Sequence, residues 1–247
     1  MQFCAAAGRE DDALDKAFAS LSLDRSGLQS PSQSTISVST IASEKTNDAT
    51  STKELSTLLF SMRKLREALV ASSRIDTFSQ RAYVFIIRAA ILTSSYESYQ
   101  PALFHLLYKI HPMTPLPAPE LHEFVSYYIL DLACRLGEFG EAFAVRKRWK
   151  YRDVRVEGVL KALVHDDWWS FWRLRSVVDG YQRKLLGWVE DGTRKHALKC
   201  IGRSYLTVDR KYVEQCAGRA WEELKEKDGV GWELNGPTVT VRRIKPR

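Results

Sequence analysis

The residues best equipped for acid–base or metal chemistry do not gather in this sequence. His105, His111, His122, His165 and His196 are scattered along the chain. In "VHDDWW", His165 stands beside Asp166 and Asp167, a trio that suggests a metal or acid–base site. Consecutive residues on a turn do not converge on one point, whereas metal ligands come from spacings that do. An Asp at this position has a simpler use, capping a helix that opens at Trp168. No GxSxG, P-loop, HExxH or dinucleotide fingerprint occurs. The expectation is a protein that is not an enzyme, with no metal, no cofactor and no small-molecule substrate. Cys4, Cys134, Cys200 and Cys216 lack CxxC spacing and read as reduced thiols of a nuclear or cytoplasmic protein.

Phosphate binding is the second chemistry on offer. "AVRKRWKYRDVR" carries Arg146, Lys147, Arg148, Lys150, Arg152 and Arg155 against one Asp, with Trp149 and Tyr151 interleaved. Cations that alternate with aromatics suit a single-stranded nucleic acid, whose phosphates and unpaired bases need both. A second cluster holds Arg194, Lys195, Lys199, Arg203, Arg210 and Lys211, and the tail adds Arg242, Arg243, Lys245 and Arg247. Solvated helix faces paired with acidic neighbours would give the same pattern. The formal charge of +7, from 37 basic and 30 acidic residues, permits non-specific RNA contact without requiring it.

Protein docking is the third. "DDWWSFWRL" packs Trp168, Trp169, Phe171 and Trp172 into one short helix. At about 100° per residue these rings spread around most of the helix, so one side cannot bury them all. Trp168 and Trp172 share a face, as do Trp169 and Arg173. One pair belongs to the core, and the other meets the next hairpin or a partner.

These groups need a helical frame. All seven Trp lie at or beyond Trp149, and no Tyr precedes Tyr83. From Ser30 to Thr52, twelve of 23 residues are Ser or Thr, too polar to offset the entropy of ordering. Residues 1–52 are therefore predicted to be a disordered leader, with one short amphipathic segment at Arg9–Leu21. Ser30-Pro31 is a candidate proline-directed phosphorylation site. From Lys53 the apolar period becomes helical: Leu55, Leu58, Leu59, Met62, Leu65 and Leu69 form one stripe. Thr77 is the expected cap of the next helix, and Pro101 suggests a third that begins near Gln100. "HPMTPLPAPE", with four prolines in ten residues, reads as a linker. Three helix–turn–helix units follow one style, with Tyr99, Phe139 and Trp169 as the aromatics that plug each pair. Stacked helical hairpins over residues 53–190 account for this, in a right-handed array. No run is long and apolar enough for a membrane span.

The ending differs. Three short helices, with Asp209 as a cap and Gly218 and Gly229 as stops, precede "GWEL" and "TVTVRR" around an "NGP" turn. The alternating pattern makes a hairpin, stable only when packed on the helices. Residues 191–247 are thus predicted to be a winged helix. Its third helix holds Glu222, Glu223 and Glu226, which argues against sequence-specific DNA reading.

A helical-hairpin stack running into a winged helix resembles the PCI domain of scaffold subunits. Such subunits occur in the proteasome lid, the COP-nine signalosome, translation initiation factor three and the mRNA-export machinery. The similarity covers roughly Leu58 to Arg243. It is carried by "KALVHDDWWSFWRL" and "TRKHALKCIGRSYLTVDRKYVEQCAG…WEELKEKDGVGWELNGPTVTVRR". GANP-type export scaffolds and the small lid, signalosome and initiation-factor subunits are the most similar subgroup. The resemblance implies a mainly α scaffold that joins other subunits of a large complex, another PCI-type protein among them. It also implies pairing through winged-helix edges, here the edge of "TVTVRR", and it favours RNA contact. On this reading Trp168, Trp169, Trp172, Trp232, Val239 and Val241 are the partner-binding candidates. Arg146, Lys147, Arg148, Trp149, Lys150, Arg152, Arg194, Lys195, Arg242 and Arg243 are the nucleic-acid-binding ones.

Overall fold

Period-3.6 apolar patterning dictates helix for most of the chain, and the structure is mainly helical with a small three-stranded sheet near its C-terminus. The structure is a computed structural model that describes residues 40–243, with side chains from residue 53. Arg9–Leu21, Ser30-Pro31, Lys245 and Arg247 lie outside the described residues. Two compact units divide the chain, Met1–Leu121 and His122–Arg247.

In the first unit, α1 spans Thr40–Ala71, α2 Thr77–Leu92 and α3 Tyr96–His105. Helix α1 thus begins inside the segment expected to be irregular, because extending a nucleated helix fixes only one residue per added hydrogen bond. Helix α2 is capped by Asp76 and not by Thr77. The Asp76 carboxylate accepts from the Ser79 amide at 2.8 Å, while the Ser79 hydroxyl accepts from the Asp76 amide at 2.9 Å. Helix α3 starts earlier than Gln100 and keeps Pro101 inside it, then continues through a π-helical turn at Leu106–Ile110. Helix α2 packs on α3 and the π-helical turn, and Ile86, Ile87 and Ala90 on the one side and Tyr99, Leu103, Leu106 and Leu107 on the other are all buried.

Helix α4 covers Ala118–Cys134. In the second unit follow α5 (Phe139–Arg148), α6 (Val154–Val164), α7 (Trp168–Val177) and the long α8 (Gly180–Ser204). The division expected at residue 190/191 falls inside α8, which runs unbroken from the helical layers into the C-terminal module. Nothing in "WVEDGTRK" stops a helix strongly enough to outweigh packing on both sides. Helices α6 and α7 pair closely because Gly158 leaves room for Leu174, whose Cδ1 would lie 2.9 Å from a Cβ there. Phe171 is fully buried and Trp169 is 51% exposed, so Phe171 plugs this pair in place of Trp169.

The module continues with β1 (Thr207–Asp209), α9 (Arg210–Ala217), α10 (Trp221–Glu226), β2 (Glu233–Asn235) and β3 (Thr238–Thr240). The hairpin turn uses Gly236 at φ +62°, and Leu234 faces Val239 in the ladder. Strand β1, absent from the sequence reading, pairs antiparallel with β3 through Val208 and Val239. The sheet order is β1-β3-β2, so β3 is the central strand. The free edge expected at "TVTVRR" is therefore occupied, and the outer strands are β1 and β2. One core joins Ala197 and Ile201 of α8 to Val208, Val213, Trp221, Leu224 and Val239. The hairpin thus closes over α8.

Candidate functional site

The C-terminal turn of α5 carries the densest cation cluster. The helix ends in a left-handed turn: the Tyr151 amide donates to the Arg146 carbonyl at 3.0 Å and the Lys150 amide to the Lys147 carbonyl at 3.2 Å. Lys150 holds φ at +49°, in the position glycine usually takes in this motif. The reversed chain brings Phe143, Arg146, Lys147, Lys150, Tyr151 and Arg152 around one concavity of about 480 Å³. Arg146 is committed to Glu157 at 2.6 Å and Arg155 to Asp153 at 3.2 Å. Lys147, Lys150 and Arg152 are exposed, and their charged groups have no ion-pair partner among the described residues. Tyr151 is buried beneath His122, ring centroids 4.2 Å apart, and His122 also reaches the Arg152 carbonyl. Burial, and then the Asp153 carboxylate, push the Tyr151 phenol up. Arg148 and Trp149 do not line the concavity.

Two members of the second basic cluster, Arg194 and Arg210, are taken up by contacts within the fold. Arg194, expected at the nucleic-acid face, is 2% exposed. It donates to the Ala217 carbonyl at 3.0 Å, pairs with Asp191 at 2.6 Å and lies 5.2 Å from the Trp172 ring. Its charge serves the junction of α8 with α9, since a buried guanidinium must be paired. Arg210 is held by Glu214 and Glu222. Lys195 and Lys199 remain exposed, one turn apart on α8. Arg242 joins the tail to α8 by donating to the Arg203 carbonyl at 2.8 Å, and Arg243 pairs with Glu233 at 2.5 Å.

The partner-binding candidates separate into two groups. Val239 is fully buried at the centre of the sheet and cannot meet a partner. Val241, Trp232 and Trp168 are partly buried against the same core. Trp172 donates its indole N–H to the Cys216 carbonyl at 2.8 Å, a structural use. Trp169 alone of these is broadly exposed, with the Arg173 guanidinium 4.7 Å above its ring. The face shared by Trp169 and Arg173 continues to Val177, 56% exposed.

His165, Asp166 and Asp167 have separate fates. His165 is exposed at the end of α6. Asp166 sits 3.5 Å from His196, and Asp167 caps α7 through the Ser170 amide at 3.1 Å. The Ser170 hydrogen bonds hold the Asp167 carboxyl below the usual range. Among the described residues no three His, Cys, Asp or Glu side chains are grouped to hold a metal ion, and no helix is long and apolar enough to cross a membrane.

No protein-family model matches the chain, and no curated protein is significantly similar to it.

Proposed function

We propose that this chain is a non-catalytic scaffold subunit of PCI type, working in the nucleus or cytoplasm, that docks partners through its helical layers and a C-terminal winged helix. The observation that carries the reading is the order of the last module. It runs helix, strand, helix, helix, strand, strand, with the sheet ordered β1-β3-β2, the order in which winged helices are built. The unbroken α8 and the Trp172 bond to Cys216 tie that module to the preceding helices, as a rigid docking element requires. The exposed Trp169–Arg173 face supplies an aromatic anchor with a cation over it, a combination common where interfaces concentrate their energy. Strand β2 or β1, not β3, is available for edge pairing.

The test is purification of the tagged full chain from its native cells at physiological salt. A stoichiometric assembly with other subunits is expected, weakened by Trp169→Glu. A chain that elutes alone as a monomer would refute the scaffold reading. A second reading, an RNA-contacting adaptor within an mRNA-export or RNA-processing assembly, is favoured by the three unpaired cations around the α5 concavity.

A further inference from the structure

The concavity at the end of α5 combines features that a merely solvated basic face lacks. Its cations stand around an open concavity whose volume of about 480 Å³ lies within the range of about 300–1,000 Å³ typical of ligand sites. Its wall includes Phe143, half-buried and so partly open. Its floor is fixed, because Tyr151 is packed under His122 and Arg146 is anchored to Glu157. Lys150 occupies a left-handed position in which any residue with a Cβ is strained. Glycine would close this turn at lower cost, and the lysine side chain there is exposed. Ser73, Ser94 and Asp166 take the same left-handed conformation, so what Lys150 brings to the concavity is its exposed, unpaired ammonium.

We propose that this concavity is a subsite for single-stranded nucleic acid, with phosphates on Lys147, Lys150 and Arg152 and one unpaired base against Phe143. The inference rests on the RNA-contact reading and assigns it a location. Single strands fit the site better than duplex, whose base faces are stacked and cannot reach an aromatic wall. An acidic peptide would satisfy the cations but has no need of the half-buried ring, so nucleic acid is the occupant the lining favours. Arg146 is excluded from direct contact because Glu157 already holds it.

Fluorescence anisotropy with the full chain and a labelled oligouridylate of about 12 nucleotides tests this. The triple variant Lys147→Glu/Lys150→Glu/Arg152→Glu should bind at least about tenfold more weakly at low salt. Its plot of log affinity against log salt should be shallower by about 2, from about 0.7 per lost phosphate contact. Lys150→Gly relieves the left-handed strain, so it should melt no lower than the parent while its salt slope falls by about 0.7. Matched reversals elsewhere, Lys53→Glu/Lys64→Glu/Lys225→Glu, make the same change of net charge and should cost much less. If the two triple variants lose affinity equally, the site is wrong while the RNA reading stands. If the parent chain binds no RNA at low salt, both fall. If polyglutamate displaces the RNA at equal charge and Lys150→Gly weakens it equally, the site takes acidic protein, and the assignment to nucleic acid is overturned.

Discussion

The indole N–H of Trp172 donates to the backbone carbonyl of Cys216 at 2.8 Å, joining α7 to the last turn of α9. Gly218 makes the approach feasible. A Cβ at Gly218 would lie 2.2 Å from Trp172 Cδ2, and the residue also sits at φ +63°. Gly218→Ala should therefore destabilise by about 1–3 kcal/mol, from overpacking together with left-handed strain. Urea unfolding followed by circular dichroism measures it. A neutral result would mean that the Trp172 ring can move aside.

Arg194 lies across the same ring and donates to the Ala217 carbonyl. Arg194→Met keeps the aliphatic bulk but leaves that carbonyl with one fewer donor. A loss of about 1–3 kcal/mol is expected, as for a buried acceptor deprived of its partner. Nucleic-acid affinity, measured on the folded fraction, should stay within twofold or so, since the guanidinium is buried. A large loss of affinity without a loss of stability would return Arg194 to the binding surface.

Val239 and Trp169 should behave in opposite ways. Val239→Ala opens a space in the core shared with Ala197, Ile201 and Leu224, and should cost about 1–3 kcal/mol. Trp169→Ala removes an exposed ring and should change stability by no more than about 0.5 kcal/mol. Chemical denaturation of both variants separates core from docking face.

Stability should fall with mild acidification. Burial, followed by the Lys109 charge, holds the His105 imidazole below its ordinary range, and burial does the same to His111. A histidine with a depressed folded pKa takes up its proton more readily when unfolded. Its contribution is therefore complete above about pH 6.5 and declines as the pH falls from there through the folded value. His105→Phe can keep the stacking on Tyr83, now at 4.8 Å, without a titrating group. Its melting temperature should depend less on pH between about 7.5 and 5 than the parent's. An unchanged slope would assign the effect to other groups.

Asp167 titrates in the opposite range. The Ser170 hydrogen bonds lower its pKa, so its stabilisation is present above the unfolded carboxyl value near pH 3.9 and is lost as the pH falls through the folded value. Asp167→Asn keeps the cap without the charge. It should match the parent closely near neutrality and flatten the acid limb of the stability profile. Melts recorded across that limb decide whether the cap or another carboxylate governs it.

Local chemistry was legible in the sequence wherever the partners are close along the chain. The stops at Gly218 and Gly229 have positive φ, and Asp167 and Asp209 cap the helices that follow them. The shared face of Trp169 and Arg173 and the hairpin around Gly236 depend on neighbours no more than a few residues away. Tertiary structure alone decided the rest. Strand β1 is three residues long, and its ladder partner Val239 lies beyond two intervening helices, so no local preference marks it. That pairing made β3 central and buried Val239. The same packing ran α8 through the expected boundary, buried Arg194 under Trp172 and chose Phe171 over Trp169 for the core. Periodicity tells which residues share a helix face, but only the arriving neighbour determines which face is covered.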